Sequence, residues 1–183
     1  MKNSIWILGL FLFSLNLSAQ EAPTELKTEF DETALNQPIQ DLDGNKLTVG
    51  EVLKKYEGKV ILLDIWASWC PDCIKGLPKL KTVQGQYPEV VYLFFSLDKV
   101  GKEDAWKNGI EKYGIEGEHY WFNSDWKNDF TNYIGLNWIP RYMLIDREGN
   151  ISHYYAIHAD DAQMMENLVE LMQVPKNENS EMN

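Results

Sequence analysis

At 183 residues, 44% hydrophobic and 25% charged, the chain has the size and apolar content of one globular domain with a real core, rather than two domains. Its formal net charge of −11 repels nucleic acid and anionic membrane surfaces, so neither is expected as a partner. The charge implies solubility and carries no substrate preference.

In chain order, the first segment stands apart. Met1-Lys2-Asn3 is a short, weakly basic start, Ile5 to Leu17 is mostly apolar, and Ser18-Ala19-Gln20 supplies small residues before a polar stretch. Residues 1–20 thus have the three-part layout of a signal peptide, with cleavage near Ala19 or Gln20. The apolar run is shorter than the roughly 20 residues a membrane span needs. An uncleaved tether is the alternative, and with no Cys after the run a lipid anchor is not expected. The expected location is the periplasm or the medium. Residues 21–174 make the domain, of which 21–35 read as a polar, loosely held lead-in, and 175–183 read as a disordered polar tail.

Residues 37–49 predict two short strands around the Asp43-Gly44 turn. A short helix is expected over Glu51–Tyr56, ended by Gly58. Val60 to Trp66 is nearly continuous in apolar residues, the pattern of a strand buried on both faces. From Pro71 to Tyr87 the spacing becomes helical, with Ile74, Leu77, Leu80 and Val83 on one side. Pro71 suits a first helical turn, and Pro78 should kink the helix. Beyond it, strands are expected over 90–97 and 119–123, and helices over 102–113 and 125–134. A hairpin over 141–156 turns at Arg147-Glu148-Gly149-Asn150, and a last amphipathic helix covers 159–172. The alternation gives an α/β fold, a mixed sheet with helices on both faces.

The chain has only two cysteines, Cys70 and Cys73. A disulfide between them closes a tiny loop and removes little entropy from the unfolded chain, so a structural staple explains them poorly. Cys70 follows a buried strand and opens a helix, where free N–H groups and the helix dipole favour a thiolate. Their order at the helix start makes Cys70 the expected exposed, reactive thiol and Cys73, one turn further in and within reach of a mixed disulfide formed at Cys70, the buried resolving thiol. Half a zinc site would look the same, but zinc needs a second ligand pair. His153 and His158 are the only nearby-spaced candidates, and they lie in an expected strand and past its end, so no metal is expected. Those two and His119 read as surface or half-buried residues.

The segment Val60-Ile61-Leu62-Leu63-Asp64-Ile65-Trp66-Ala67-Ser68-Trp69-Cys70-Pro71-Asp72-Cys73 closely resembles the strand and redox segment of thioredoxins. Pro78 matches the helix-kinking proline of that family. Ile139-Pro140-Arg141-Tyr142 looks like the loop whose cis-proline faces the redox pair, and Met143 to Ile151 looks like the hairpin that follows it. The additional hairpin at 37–49, and an inserted helix–strand unit between Cys70 and Pro140, are similar to the exported TlpA/ResA-like thiol–disulfide oxidoreductases, grouped with the AhpC/TSA-like domains. The resemblance covers roughly residues 30–173.

The resemblance implies a thioredoxin fold, a catalytic set of Cys70, Cys73 and the buried acid Asp64, and substrate contacts from Trp69, Pro71, Asp72, Ile139 and Pro140. It implies no cofactor beyond the Cys70–Cys73 disulfide. Substrate proteins with disulfides or thiols and a membrane electron donor are the implied partners, and cytochrome c maturation is among the family's roles. Two departures bear on the proton relay and the substrate contacts. No lysine lies on the strand beside Asp64, and Arg141 stands where thioredoxins usually have Thr. A peroxiredoxin shares the fold, but its Pro-x-x-x-Thr-x-x-Cys context is absent, with Leu63 and Ala67 at those positions. A redox-inert binding module on this fold is the other alternative, and it would usually lack a Cys. Asp72 between the cysteines is expected to oppose the thiolate, compete for its N–H groups and lower the potential, which favours a reductase.

Overall fold

The computed structural model describes residues 22–124 and 126–173. The signal-peptide, cleavage-site and tail readings lie outside the described residues. Seven strands form one mixed sheet in the order β2-β1-β5-β4-β3-β6-β7, with helices on both faces.

The centre of the sheet is β3 (Ile61–Trp66), flanked by a parallel β4 (Val91–Ser96) and an antiparallel β6 (Arg141–Ile145). Every β3 residue is buried. Covering both faces of a strand removes each side chain from water, at about 1.5–3 kcal/mol for a Leu or Ile, and this explains why the run is apolar throughout. β5 (Glu118–Trp121) runs parallel to β4, reached through α4 (Glu103–Tyr113), so the inserted unit widens the sheet. β1 (Pro38–Asp41) and β2 (Lys46–Thr48) then add an antiparallel hairpin at that edge. The Asp41 carboxylate accepts the Asp43 and Asn45 N–H groups and closes this turn. β7 (Ile151–Ala156) pairs with β6 at the opposite edge through an equivalent turn centred on Asp146.

Three expectations are corrected. The lead-in is fastened rather than loose. Asp31 caps α1 (Glu32–Leu35), Phe30 stacks on Phe130 at 5.6 Å, and the Ile151 N–H donates to the Thr28 carbonyl. The helix expected over 125–134 is only α5 (Asp129–Tyr133), because Asn128 and Thr131 form a capping box that starts it late. His119 is buried rather than at the surface, its ring stacked on Phe94 at 4.9 Å with Nε2 donating to the Ile115 carbonyl. Burial lowers its pKa. The remaining helices, α2 (Val49–Lys55), α3 (Pro71–Gln86) and α6 (Ala162–Gln173), lie within a residue or three of where the pattern put them.

Candidate active site

β3 ends at Trp66, and the chain passes through Ala67-Ser68-Trp69 directly into α3. Two features hold that passage. Asp98, just beyond β4, accepts hydrogen bonds from the Ser68 N–H at 2.9 Å and from the Ser68 hydroxyl. Pro71 then occupies the first helical position, where its missing N–H is no loss.

Cys70 is the N-cap of α3, and its Sγ receives the Cys73 N–H at 3.1 Å. It is bonded to Cys73, with 5.3 Å between the Cα atoms. The Ile139–Pro140 peptide bond is cis. The Ile139 carbonyl oxygen stands 3.6 Å from Cys70 Sγ, so the loop expected to face the redox pair does so across a separation of 69 residues.

Cys70 is not the exposed thiol that its position at a helix start implies. It is 3% exposed, hardly more than Cys73 at 2%. Its sulfur is bonded to Cys73, and the Ile139 carbonyl lies against it. What projects instead is Trp69, at 51% exposed. The buried side of α3 is correspondingly Cys73, Leu77, Leu80 and Val83, with Ile74 only half-buried. Asp72 does not take the helix N–H groups either. Its carboxylate pairs with Lys75 at 3.4 Å, while the Cys73 N–H goes to sulfur.

Asp64 is 2% exposed, and its Oδ1 has no hydrogen-bond partner. Burial pushes its pKa well above the usual carboxylate range. Arg141 turns away from the redox pair. Its guanidinium reaches the Ile134 carbonyl and Asn137 Oδ1, the latter at 3.1 Å, and lies 4.2 Å over the Tyr155 ring. It therefore pins the segment leading to Pro140 rather than facing a substrate.

The sequence reading missed three participants. The Trp126 ring lies 6.4 Å from that of Trp69, and Trp138 is exposed in the loop before Pro140. Asp98 is the anchor for Ser68, and an aspartate two residues after a strand Ser offered only a weak hint. A hollow of about 580 Å³ beside Trp69 is lined also by Asp98, Lys99 and Lys102. Among the described residues, no cluster of His, Cys, Asp and Glu could hold a metal ion.

The fold, with a disulfide at the start of the helix after the central strand and a cis-proline loop facing it, defines a thioredoxin-type redox domain. The thioredoxin-like family model matches residues 58–151, just over half of the chain, and the protein belongs to that family. It is 28% identical over 127 residues to the thiol-disulfide oxidoreductase ResA of Bacillus thuringiensis, covering 69% of each chain. ResA of Halalkalibacterium halodurans is 24% identical over 141 residues. A solution structure of a candidate thiol-disulfide oxidoreductase from Bacteroides vulgatus superposes with a TM-score of 0.63 at 28% identity, covering 78% of this chain and 90% of that one. A DsbE-type structure from Chlorobium tepidum shares the fold, with a TM-score of 0.60 at 23% identity. The protein is a thiol–disulfide oxidoreductase, carrying its redox pair as Cys70–Cys73.

Proposed function

We propose that the protein is an exported reductase of protein disulfides, with Cys70 as nucleophile and Cys73 as resolving thiol. The observation that carries the reading is the cap of α3, where the Cys73 N–H donates to Cys70 Sγ. The same N–H and the positive end of a sixteen-residue helix favour a thiolate at Cys70 once the pair is reduced. That thiolate attacks one sulfur of a substrate disulfide. A Cys70–substrate bond forms, the substrate S–S bond breaks, and the departing sulfur leaves as a thiolate that takes up a proton. Cys73 then loses its proton and attacks Cys70 Sγ. The Cys70–Cys73 bond forms, the second substrate thiolate departs, and two electrons have passed from the protein dithiol to the substrate.

Asp64 receives the Cys73 proton through water in this scheme, and its burial strengthens its hold on a proton. Trp69, Pro71, Asp72, Ile139 and Pro140 border the disulfide and receive the substrate. No cofactor beyond the disulfide is needed, and a membrane donor restores the dithiol. Export rests on the signal-like pattern of residues 1–20. The reducing direction rests on Asp72, whose charge at the helix terminus disfavours the reduced thiolate. Its pairing with Lys75 dilutes the effect.

Two experiments test the scheme. Expressed in the native host, Cys73→Ser accumulates mixed disulfides with substrate proteins and Cys70→Ser accumulates almost none. The reverse pattern overturns the assignment. For direction, the potential of the pair is measured against glutathione. Asp72→His raises it by roughly 10–30 mV, where 30 mV corresponds to about 1.4 kcal/mol for a two-electron couple. An unmoved potential removes Asp72 from the account.

A further inference from the structure

Asp64 and Tyr142 are directly opposed on the antiparallel strands β3 and β6, so their side chains share one face of the sheet. That face is the one α3 covers. Tyr142 Oη lies 3.0 Å from where a Cβ on Gly76 would sit, closer than side chains normally allow. Gly76 is one helical turn beyond Cys73, so the hydroxyl, the carboxyl and the resolving thiol occupy the same layer. Tyr142 is fully buried, and neither its hydroxyl nor Asp64 Oδ1 has a hydrogen-bond partner. Buried polar groups are normally satisfied, and a single water shared by two of them is a usual solution.

We propose that Tyr142 is a positioning residue for the exchange reaction, its hydroxyl donating through one buried water to the Asp64 carboxylate, with Gly76 as the gap that admits it. The inference rests on the relay reading of Asp64. In resolution, Cys73 passes its proton to the Asp64 carboxylate, and the hydroxyl steadies that carboxylate in the charged state it needs beforehand. The other charged groups near the phenol are Asp160, from the turn before α6, and Lys79 of α3, which hold each other at 2.8 Å.

The test uses the reduced full chain and dithiobis-nitrobenzoate. One thionitrobenzoate is released as the Cys70 mixed disulfide forms, and a second as Cys73 displaces it. The rate of the second phase is followed against pH. In the wild type it rises through the Asp64 titration. Tyr142→Phe moves the midpoint up by about one pH unit, the shift that loss of one hydrogen bond to a charged group corresponds to, and slows resolution about tenfold below it. Gly76→Ala, which displaces the hydroxyl but keeps the phenol, moves it the same way. Asp64→Asn flattens the profile, and adding Tyr142→Phe to it changes nothing further. If Asp64→Asn flattens the profile but Tyr142→Phe superposes on the wild type, the proposal for Tyr142 is overturned and the relay stands. A wild-type profile for Asp64→Asn overturns both.

Discussion

Asp64 and Asp98 are both buried, 2% and 1% exposed, yet they are furnished in opposite ways. Asp98 accepts from the Ser68 N–H, the Ser68 hydroxyl and, at 2.7 Å, the Ser96 hydroxyl, while its own N–H donates to Ser96 Oγ. Its carbonyl takes the Trp121 indole N–H at 2.7 Å. Asp64 lies inside the central strand with Oδ1 unpartnered. A carboxylate supplied with donors is held in one orientation and holds its donors in turn, so Asp98 fixes the turn two residues before Cys70. A carboxyl deprived of them resists ionising, and that resistance is what a proton carrier requires. Near the redox pair the protein thus separates two jobs between two residues of one type, one fixing the backbone and one handling a proton.

The largest loss of stability expected from breaking this contrast is at Asp98. Asp98→Ala leaves the buried Ser96 hydroxyl and the half-buried Ser68 N–H and hydroxyl without their acceptor, and should cost about 3 kcal/mol in urea unfolding at neutral pH. A loss below about 1 kcal/mol would mean that water replaces the carboxylate easily and that Asp98 is no anchor.

The difference between the two aspartates was only half legible in the sequence. A lone acid in the run Ile61–Trp66 announces itself, because the two-sided burial of that strand follows from its unbroken apolar pattern. The redox pair, the proline inside α3 and the loop at Pro140 were legible for the same reason: each depends on a short local signal. Asp98 and Tyr142 were not, since their partners lie 30 residues away in one case and on another strand and helix in the other. Reading Cys70 as exposed failed because helix position sets its electrostatics but not its cover, and the Ile139 carbonyl lies against its sulfur. Residues 21–35 read as loose because polar composition hid Phe30, whose stacking on Phe130 is a tertiary contact. Arg141 was visible as a departure, but its direction was not, and β-strand alternation carries it to the face opposite Tyr142.

An effect opposite in sign, a gain that grows with pH, is expected at Asp64. Its folded pKa is raised by burial, whereas in the unfolded chain it is about 3.9. The folded state therefore binds this proton more tightly than the unfolded state does. The stability this contributes is fully present below about pH 3.9 and is lost as pH rises toward the folded pKa. Asp64→Asn keeps the shape and removes the titration. Its stability relative to the wild type should climb with pH above about 4, at a slope approaching 1.4 kcal/mol per unit, and level off once the folded carboxyl ionises. Urea unfolding of both proteins at pH 4, 5, 6 and 7 reads the slope directly. A flat difference over that range would mean that donors beyond the one Tyr142 supplies fully compensate Asp64 when charged, and the contrast with Asp98 would collapse. A rising difference together with slowed resolution in the same variant would show a group kept at a cost to stability for the sake of the proton it carries.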